Sequence, residues 1–356
     1  MSSPMITLYY TADYELFMGC NHLSPQQALL EPTADLLEQC EQWQIPLTLF
    51  ADVACLWRFR QWGEHDFVEL AEGQLQQAVA TGHDVQLHLH PHWLVAERQG
   101  KGFHFPANAY ALATMATDEK ECARHIHALV QQGVDYLQAL LRPVKAHYRC
   151  TAFRAGGYRL DPRRELLLSI LSDHGLQVDS SIIPGYRQAG VDFSQEPTHP
   201  GWVMGPMFEV PIAAATFTPW QARRLGWRGA WREAMAIFLQ HPSRQRGEAW
   251  PLQAVDATVP AWKRAYWHFH SRINRTFAHL AMGEDPWVMR KVLQHFLQGT
   301  DWKETDCHVA IIGHPKAMFS SHLTALVQFH RWSLDDYGPH IRLATLGELA
   351  AQRVKG

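Results

Sequence analysis

The chain has 356 residues, room for two or three ordinary domains or for one α/β barrel, and its 47% hydrophobic and 19% charged residues are the balance of a globular protein with a large core. A net charge of −3 gives no global attraction to nucleic acid or anionic lipid, so any charged partner has to be met locally. The six cysteines, Cys20, Cys40, Cys55, Cys122, Cys150 and Cys307, are scattered without a C-x-x-C pair, which argues against a disulfide framework or a cysteine zinc site and suits a reducing cytoplasm.

The opening residues, MSSPMITLYYTADYE, lack a basic segment followed by a long apolar run, the pattern of an export signal. No stretch approaches the roughly 18 uninterrupted apolar residues of a bilayer span. A soluble or peripheral cytoplasmic protein is the expectation.

Strand-like apolar runs and helical patterns then alternate. Ile6–Thr11 reads as a strand, about Ala34–Trp43 as a helix, Pro46–Phe50 as a strand and about Phe67–Ala80 as a helix. Val85–Leu89, a helix at about Glu119–Leu141, Ala152–Ala155, a helix at about Arg163–His174 and Met207–Ile212 follow. Two late strands, His308–Gly313 and Ile341–Ala344, flank a further helix. Strands separated by helices imply parallel pairing through right-handed crossovers. Seven or eight such units favour a barrel over an open sheet, and no Gly-rich phosphate loop follows the first strand, which speaks against a dinucleotide-binding fold.

The segment from about Thr216 to Pro286 differs in character and reads as a helical insertion. Seven of the chain's fourteen tryptophans fall between Trp220 and Trp287, beside Arg223, Arg224, Arg228, Arg232, Arg244, Arg246, Lys263, Arg264, Arg272 and Arg275. Such helices suit either a cap whose tryptophans are buried or a peripheral membrane contact through residues 220–275, where indole rings sit at headgroup level and cations meet lipid phosphate.

The chemistry gathers at strand ends, where a parallel α/β barrel carries its reactive residues. The third strand ends in HLHPHW, with His88, His90 and His92 at alternate positions. An extended chain turns such residues to one face, and three imidazoles able to grip one ion are the mark of a metal site. Thr11, Asp13 and Glu15 close the first strand. The run Arg154, Ala155, Gly156, Gly157 and Tyr158 closes the fourth, Asp179, Ser180 and Ser181 lie on a short segment after it, and His314 with Pro315 closes a late strand.

In this order the residues resemble the polysaccharide deacetylase family, the NodB-homology group also called carbohydrate esterase family 4. Gly82, His83, Asp84, Val85, His88 and His92 stand in the frame of the family's G-H-E-I-x-x-H-x-x-x-H motif. Phe153 to Tyr158 stands in its arginine motif, and Val309–His314 in its terminal strand and histidine. The resemblance covers about residues 5–350 apart from the insertion, and implies a distorted (β/α)7 TIM-like barrel, a single domain over 1–356 with the insertion at 216–286. It implies a divalent metal, zinc in the first instance, held by His88 and His92, with His90 beside them as a supporting neighbour.

The family's first motif has two adjacent aspartates, whereas here Asp13 is followed by Tyr14. The acidic ligand is therefore Glu15, with Asp13 as general base, or Asp13 itself. By resemblance Arg154 holds the catalytic aspartate, His314 is the general acid, the backbone at Gly157 or Tyr158 stabilises the oxyanion, and Asp179 lies with the substrate residues.

The activity so implied is removal of an N-acetyl group from an amino-sugar glycan. The insertion and the absence of an export pattern point to a glycolipid or lipopolysaccharide precursor, reached at the inner membrane face, and not to nucleic acid. The altered first motif also admits a metal-independent, allantoinase-like hydrolase of small amides, or a glycan-binding barrel without turnover.

Overall fold

The computed structural model describes residues 4–18, 23–100, 102–106, 111–188, 190–238, 260–318 and 320–353. Cys20, Arg244, Arg246 and Trp250 lie outside the described residues, as do the side chains of Arg228, Arg232 and Arg264. In the first half, β1 (Ile6–Tyr14), α1 (Glu31–Gln42), β2 (Leu47–Asp52), α2 (Val53–Gln61), α3 (His65–Ala80), β3 (Asp84–Leu89), α4 (Glu119–Leu141), β4 (Ala152–Ala155), α5 (Arg164–Asp173) and β5 (Val178–Asp179) succeed one another. In the second half come β6 (Trp202–Met204), β7 (Met207–Glu209), β8 (Ala214–Thr216), α6 (Pro219–Phe238), α7 (Ala261–Ile273), β9 (Phe277–His279), α8 (Pro286–Gln298), β10 (Cys307–Gly313), α9 (Ser320–Tyr337), β11 (Ile341–Leu343) and α10 (Leu346–Arg353).

The nine-stranded sheet runs β6-β7-β5-β4-β3-β2-β1-β10, with β11 also beside β1. All its pairs are parallel except β6 with β7. Strands buried on both faces must be apolar throughout rather than alternating, and β1, β2 and β3 are buried at every position.

The chain continuing from β7 reaches round to β10. Ala213 N–H donates to Ala310 O at 3.2 Å, Ala310 N–H donates to Pro211 O at 3.0 Å, and Ile212 bridges Ala310. This closes a distorted (β/α)7 barrel of β1, β2, β3, β4, β5, β7 and β10.

Helices cover the outside. The longest, α4, opens on Asp118, whose carboxylate accepts from the Glu121 amide at 2.8 Å, a cap worth about 1 kcal/mol. It lays Ile126, Val130, Leu137 and Leu141 into the core. Three helices, α2, α8 and α10, were not expected. The run from Leu47 to Phe59 is apolar almost throughout, and its second half is α2, with Asp52 marking the change from strand to helix. The five described cysteines are buried and unpaired. Among the described residues no helix is long and apolar enough to cross a membrane.

Candidate active site

The C-terminal ends of β1, β2, β3, β4 and β10 converge on a buried polar cluster. Its anchor is Arg154, fully buried on β4. Burial of a guanidinium demands that its donors be met. Nη1 donates to Asp13 Oδ1 at 2.6 Å, Nε to Ser180 O at 2.7 Å, and Nη2 to Thr11 Oγ1 at 2.9 Å and Ser180 Oγ at 3.0 Å. Its Cζ lies 4.3 Å from the Phe50 ring centroid. Burial alone would raise the Asp13 carboxyl, but the Arg154 guanidinium, then His88 and His314, hold it well below the usual carboxylate range. Asp13 is therefore a fixed anion with Oδ1 engaged. Its Oδ2 faces His314 Nε2 at 3.4 Å.

Glu15 stands beside it. Lys316, itself buried, donates from Nζ to Glu15 Oε1 at 2.8 Å and to Leu16 O at 2.9 Å. Burial would raise this carboxyl, but Lys316 first, then His90 and His88, bring it well below its ordinary value. Glu15 Oε2 is left at 3.4 Å from His88 Nε2 and 3.1 Å from His90 Nδ1, without an aligned hydrogen bond. His88 is oriented from behind, its Nδ1 lying 2.8 Å from Arg154 O. Burial would lower the His88 imidazole, but Asp13 and Glu15 raise it to about 9. His90 is fixed by Asp52, which accepts from its backbone N–H at 3.3 Å and meets its Nδ1 at 3.2 Å.

The segment after β3 bends at Pro91 into a short 3₁₀ turn, Pro91–Val95, and this decides where the third histidine goes. The His92 ring packs at 4.6 Å against Phe105 and 5.0 Å from His90, and burial, then His90, lowers it to about 2. His92 is thus a neutral imidazole next to the cluster. Gly156 lets His90 take its place, because a Cβ there would stand 2.5 Å from Leu89 O and 2.6 Å from His90 Cδ2.

Two groups of donor atoms, each gathered within 4.8 Å, result: Glu15, His88 and His90, and Asp13, Glu15 and His314. Glu15 belongs to both. The residues fit a divalent cation, because the buried atoms Glu15 Oε2 and His88 Nε2 have no hydrogen-bond partner and lie 3.4 Å apart. Two ligands of one tetrahedral ion at about 2.1 Å would be separated by about 3.4 Å. An ion there would displace the His88 proton, since a ligating imidazole is neutral.

Of the expected site residues, the structure brings Asp13, Glu15, His88, His90, Arg154 and His314 together. His90, expected as a neighbour, lies inside a donor group, and His92, expected as a ligand, lies outside both. Gly157 and Tyr158 follow β4 with φ of 60° and 61°, a left-handed turn at the lip of the site. Asp179, expected among the substrate residues, is fully buried. It accepts from Ser181 Oγ at 2.8 Å, and Ser181 Oγ in turn accepts from Ala155 N–H at 2.9 Å. Beside it Glu209, opposite Asp179 in the β5–β7 register, accepts from Ile182 N–H at 3.0 Å. Burial, then Asp179, raises the Glu209 carboxyl well above its usual value.

Sequence reasoning missed Asp52, Lys316, Ser180 as a partner of Arg154, and Glu209. The signals were present for three of them: an aspartate at the end of an apolar strand, a lysine two residues after His314, and a glutamate inside MFEVPI.

No family model matches the chain, and no curated protein matches its sequence. Among solved structures it is similar to a candidate polysaccharide deacetylase from Mycobacterium smegmatis, with 12% identity, 99% of this chain and 92% of that one covered, and a TM-score of 0.49. The catalytic domain of a peptidoglycan N-acetylglucosamine deacetylase from Eubacterium rectale matches with 9% identity, 97% and 92% coverage, and a TM-score of 0.40. An allantoinase matches with 13% identity, 97% and 89% coverage, and a TM-score of 0.43. With TM-scores below 0.5 these likenesses carry no argument, and both the fold and the chemistry rest on the strands and residues of this chain.

Proposed function

We propose that the protein is a metal-dependent hydrolase that removes N-acetyl groups from an N-acetylated amino sugar. The observation that carries the reading is the pairing of an Arg154-clamped Asp13 with the Glu15–His88–His90 donor group and His314 at one end of the barrel. Glu15 and His88 would hold the ion. For the third place the chain offers His90, whose Nδ1 is shared with Asp52, and His92, kept neutral by burial. Bound there, a zinc-like ion would polarise the amide carbonyl and acidify water.

The remaining roles follow from the side chains. Asp13 Oδ2, the oxygen that Arg154 leaves open, accepts the proton of the attacking water. His314, 21% exposed and 3.4 Å from that oxygen, can meet substrate from the mouth and hands a proton to the departing amine. The Gly157 and Tyr158 backbone N–H groups supply the oxyanion donors, and Arg154, Lys316 and Asp52 position the reacting groups. Residues 1–356 are read as one barrel domain interrupted at 216–286. The finer substrate is a lipid-linked glycan or lipopolysaccharide precursor met at the cytoplasmic membrane face, a reading supported by the aromatic and basic composition of the insertion.

Acetate release from N-acetylhexosamine glycans, with zinc or cobalt and with chelator, tests this. Metal-stimulated release that is lost in Asp13→Asn and Glu15→Gln is expected. Release unaffected by either substitution would overturn it. Hydrolysis of small cyclic amides by metal-free protein would favour the allantoinase-like alternative, and glycan affinity without turnover in metal-loaded protein would favour a binding barrel.

A further inference from the structure

Helices α6 and α7 invert the usual arrangement of side-chain sizes. They pack in opposite directions: Arg223 Nε meets Asn274 Oδ1 at 3.5 Å, a Cβ on Gly226 would stand 3.2 Å from Arg272 O, Trp231 meets Phe269 at 6.1 Å, and Ala234 clusters with Ala265. The buried side of α6 is made of small residues, Ala222, Ala230 and Ala234, with Gly226 and Gly229 between them. Leu225 packs half-buried beside them, whereas Trp220, Trp227 and Trp231 point outward.

Trp220, Arg224, Trp227 and Trp231 recur at intervals of four, three and four, which is one face of a helix. On α7 the outward residues are Trp262, Lys263, Tyr266 and Trp267, while Ala265 faces in. The six aromatics are between 50% and 68% exposed. The expectation of a cap with buried tryptophans therefore fails for them. A soluble helical pair gains most by burying its indoles and exposing its small residues; this one does the reverse over two helices, and a contiguous apolar face of that kind marks an interaction surface.

The chemistry of the face selects its partner. Its aromatics are five tryptophans, Trp220, Trp227, Trp231, Trp262 and Trp267, with Tyr266, and these are amphipathic rings, not aliphatic core residues. Cations are interleaved with them: Arg224 Cζ lies 5.4 Å from the Trp220 ring and Lys263 Nζ 5.5 Å from the Trp262 ring. Over Pro219–Phe238 the only acid is Glu233, and Ala261–Ile273 has none. We infer that the outward face of α6 and α7 is a docking surface for an anionic lipid bilayer, with the indoles at headgroup depth and Arg223, Arg224 and Lys263 against lipid phosphate. The inference goes beyond the proposed reaction, and it stands or falls without it.

Vesicle co-sedimentation decides it. The full chain is expected to bind phosphatidylcholine vesicles containing phosphatidylglycerol at low salt, and to bind pure phosphatidylcholine at least about tenfold more weakly. Trp220→Ser/Trp227→Ser/Trp231→Ser, all at exposed positions, lowers binding roughly tenfold or more with an unchanged circular dichroism spectrum. Arg224→Glu/Lys263→Glu removes the preference for phosphatidylglycerol. Wild-type protein that ignores the anionic vesicles, or a triple variant that binds them as well as wild type, overturns the inference. It is also overturned if the face instead mediates a concentration-dependent dimer, or tighter binding of a single-stranded oligonucleotide than of vesicles at the same salt. Acetate release from a soluble glycan, measured in parallel, stays unchanged in these variants, so failure of the docking surface and failure of the proposed reaction are told apart.

Discussion

Replacing Arg154 with methionine isolates what holds Asp13. Methionine keeps much of the aliphatic packing against Phe50 but removes the 2.6 Å ion pair and the donors to Ser180 O, Ser180 Oγ and Thr11 Oγ1. Breaking a buried pair on one side costs about 3–5 kcal/mol, because the surviving charge keeps its desolvation penalty. That is a large part of a typical stability of about 5–15 kcal/mol. Arg154→Met/Asp13→Asn leaves no buried charge behind and should recover about 2 kcal/mol or more of the loss.

The pH dependence supplies the sign. In the wild type the Asp13 carboxyl is lowered, so its stabilisation is complete above the unfolded carboxylate value near 3.8 and is lost as pH falls toward the folded value. In Arg154→Met burial is no longer opposed by the guanidinium and the folded value rises. The deficit should then be largest at neutral pH and shrink as pH falls through that raised value. Urea unfolding with chelator present, at a series of pH values for the wild type and the single and double variants, reads all of this. A deficit below about 1 kcal/mol for Arg154→Met at pH 7, or a double variant no more stable than the single one, would refute the reasoning.

Gly156→Ala should drive a Cβ into Leu89 O and His90, cost about 1–3 kcal/mol, and weaken zinc or cobalt binding tenfold or more in a chelator competition. Gly73→Ala, at an exposed position of α3 with open space around it, is the control and should raise stability by about 0.5–1 kcal/mol. Equal metal affinity in Gly156→Ala and wild type would break the link between Gly156 and His90. Away from the site, burial raises Asp84 to about 6 against the accepted bonds from Gln86 Nε2 and Gly347 N–H. A raised carboxyl means the native state binds more protons, so wild-type stability should fall by about 2–3 kcal/mol as pH rises from about 4 to above 6. Asp84→Asn should remove that slope in denaturant titrations, and an unchanged slope would show that another group carries it.

The barrel was legible because parallel strands buried on both faces leave uninterrupted apolar runs, and the segment from Glu119 to Leu141 was read to the residue because its apolar period is unbroken. Asp13, Glu15, Arg154 and His314 were legible as polar residues at the ends of such runs. The placement of His90 and His92 relative to the donor atoms of Glu15 and His88 was not. Alternation puts both on one face only while the strand continues, and β3 stops at Leu89 before Pro91 redirects the chain. The partner of Lys316 was hidden for another reason: Glu15 lies 301 residues away in sequence, and only the β1–β10 pairing brings the two together. The helix α2 was hidden because its composition continues that of β2. The direction of the tryptophans on α6 was hidden because helical spacing defines a face without saying which side the protein takes.

The closure of the barrel has a consequence for how it opens. On the side of β10 away from β1, Ala310 N–H bonds to Pro211 O, and Ile312 N–H bonds to Leu280 O at 3.0 Å, while Met282 N–H returns a bond to Ile312 O at 2.7 Å. Residues 211 and 280 are the two roots of the helical segment, so the strand that ends in His314 is sealed on one side by sheet and on the other by the base of α6 and α7. In hydrogen exchange, Ala310 and Ile312 would then report a different event from the other β10 amides. Their protection measures how often the segment lifts from its seat, and the first group to feel each excursion is the imidazole at the end of that strand.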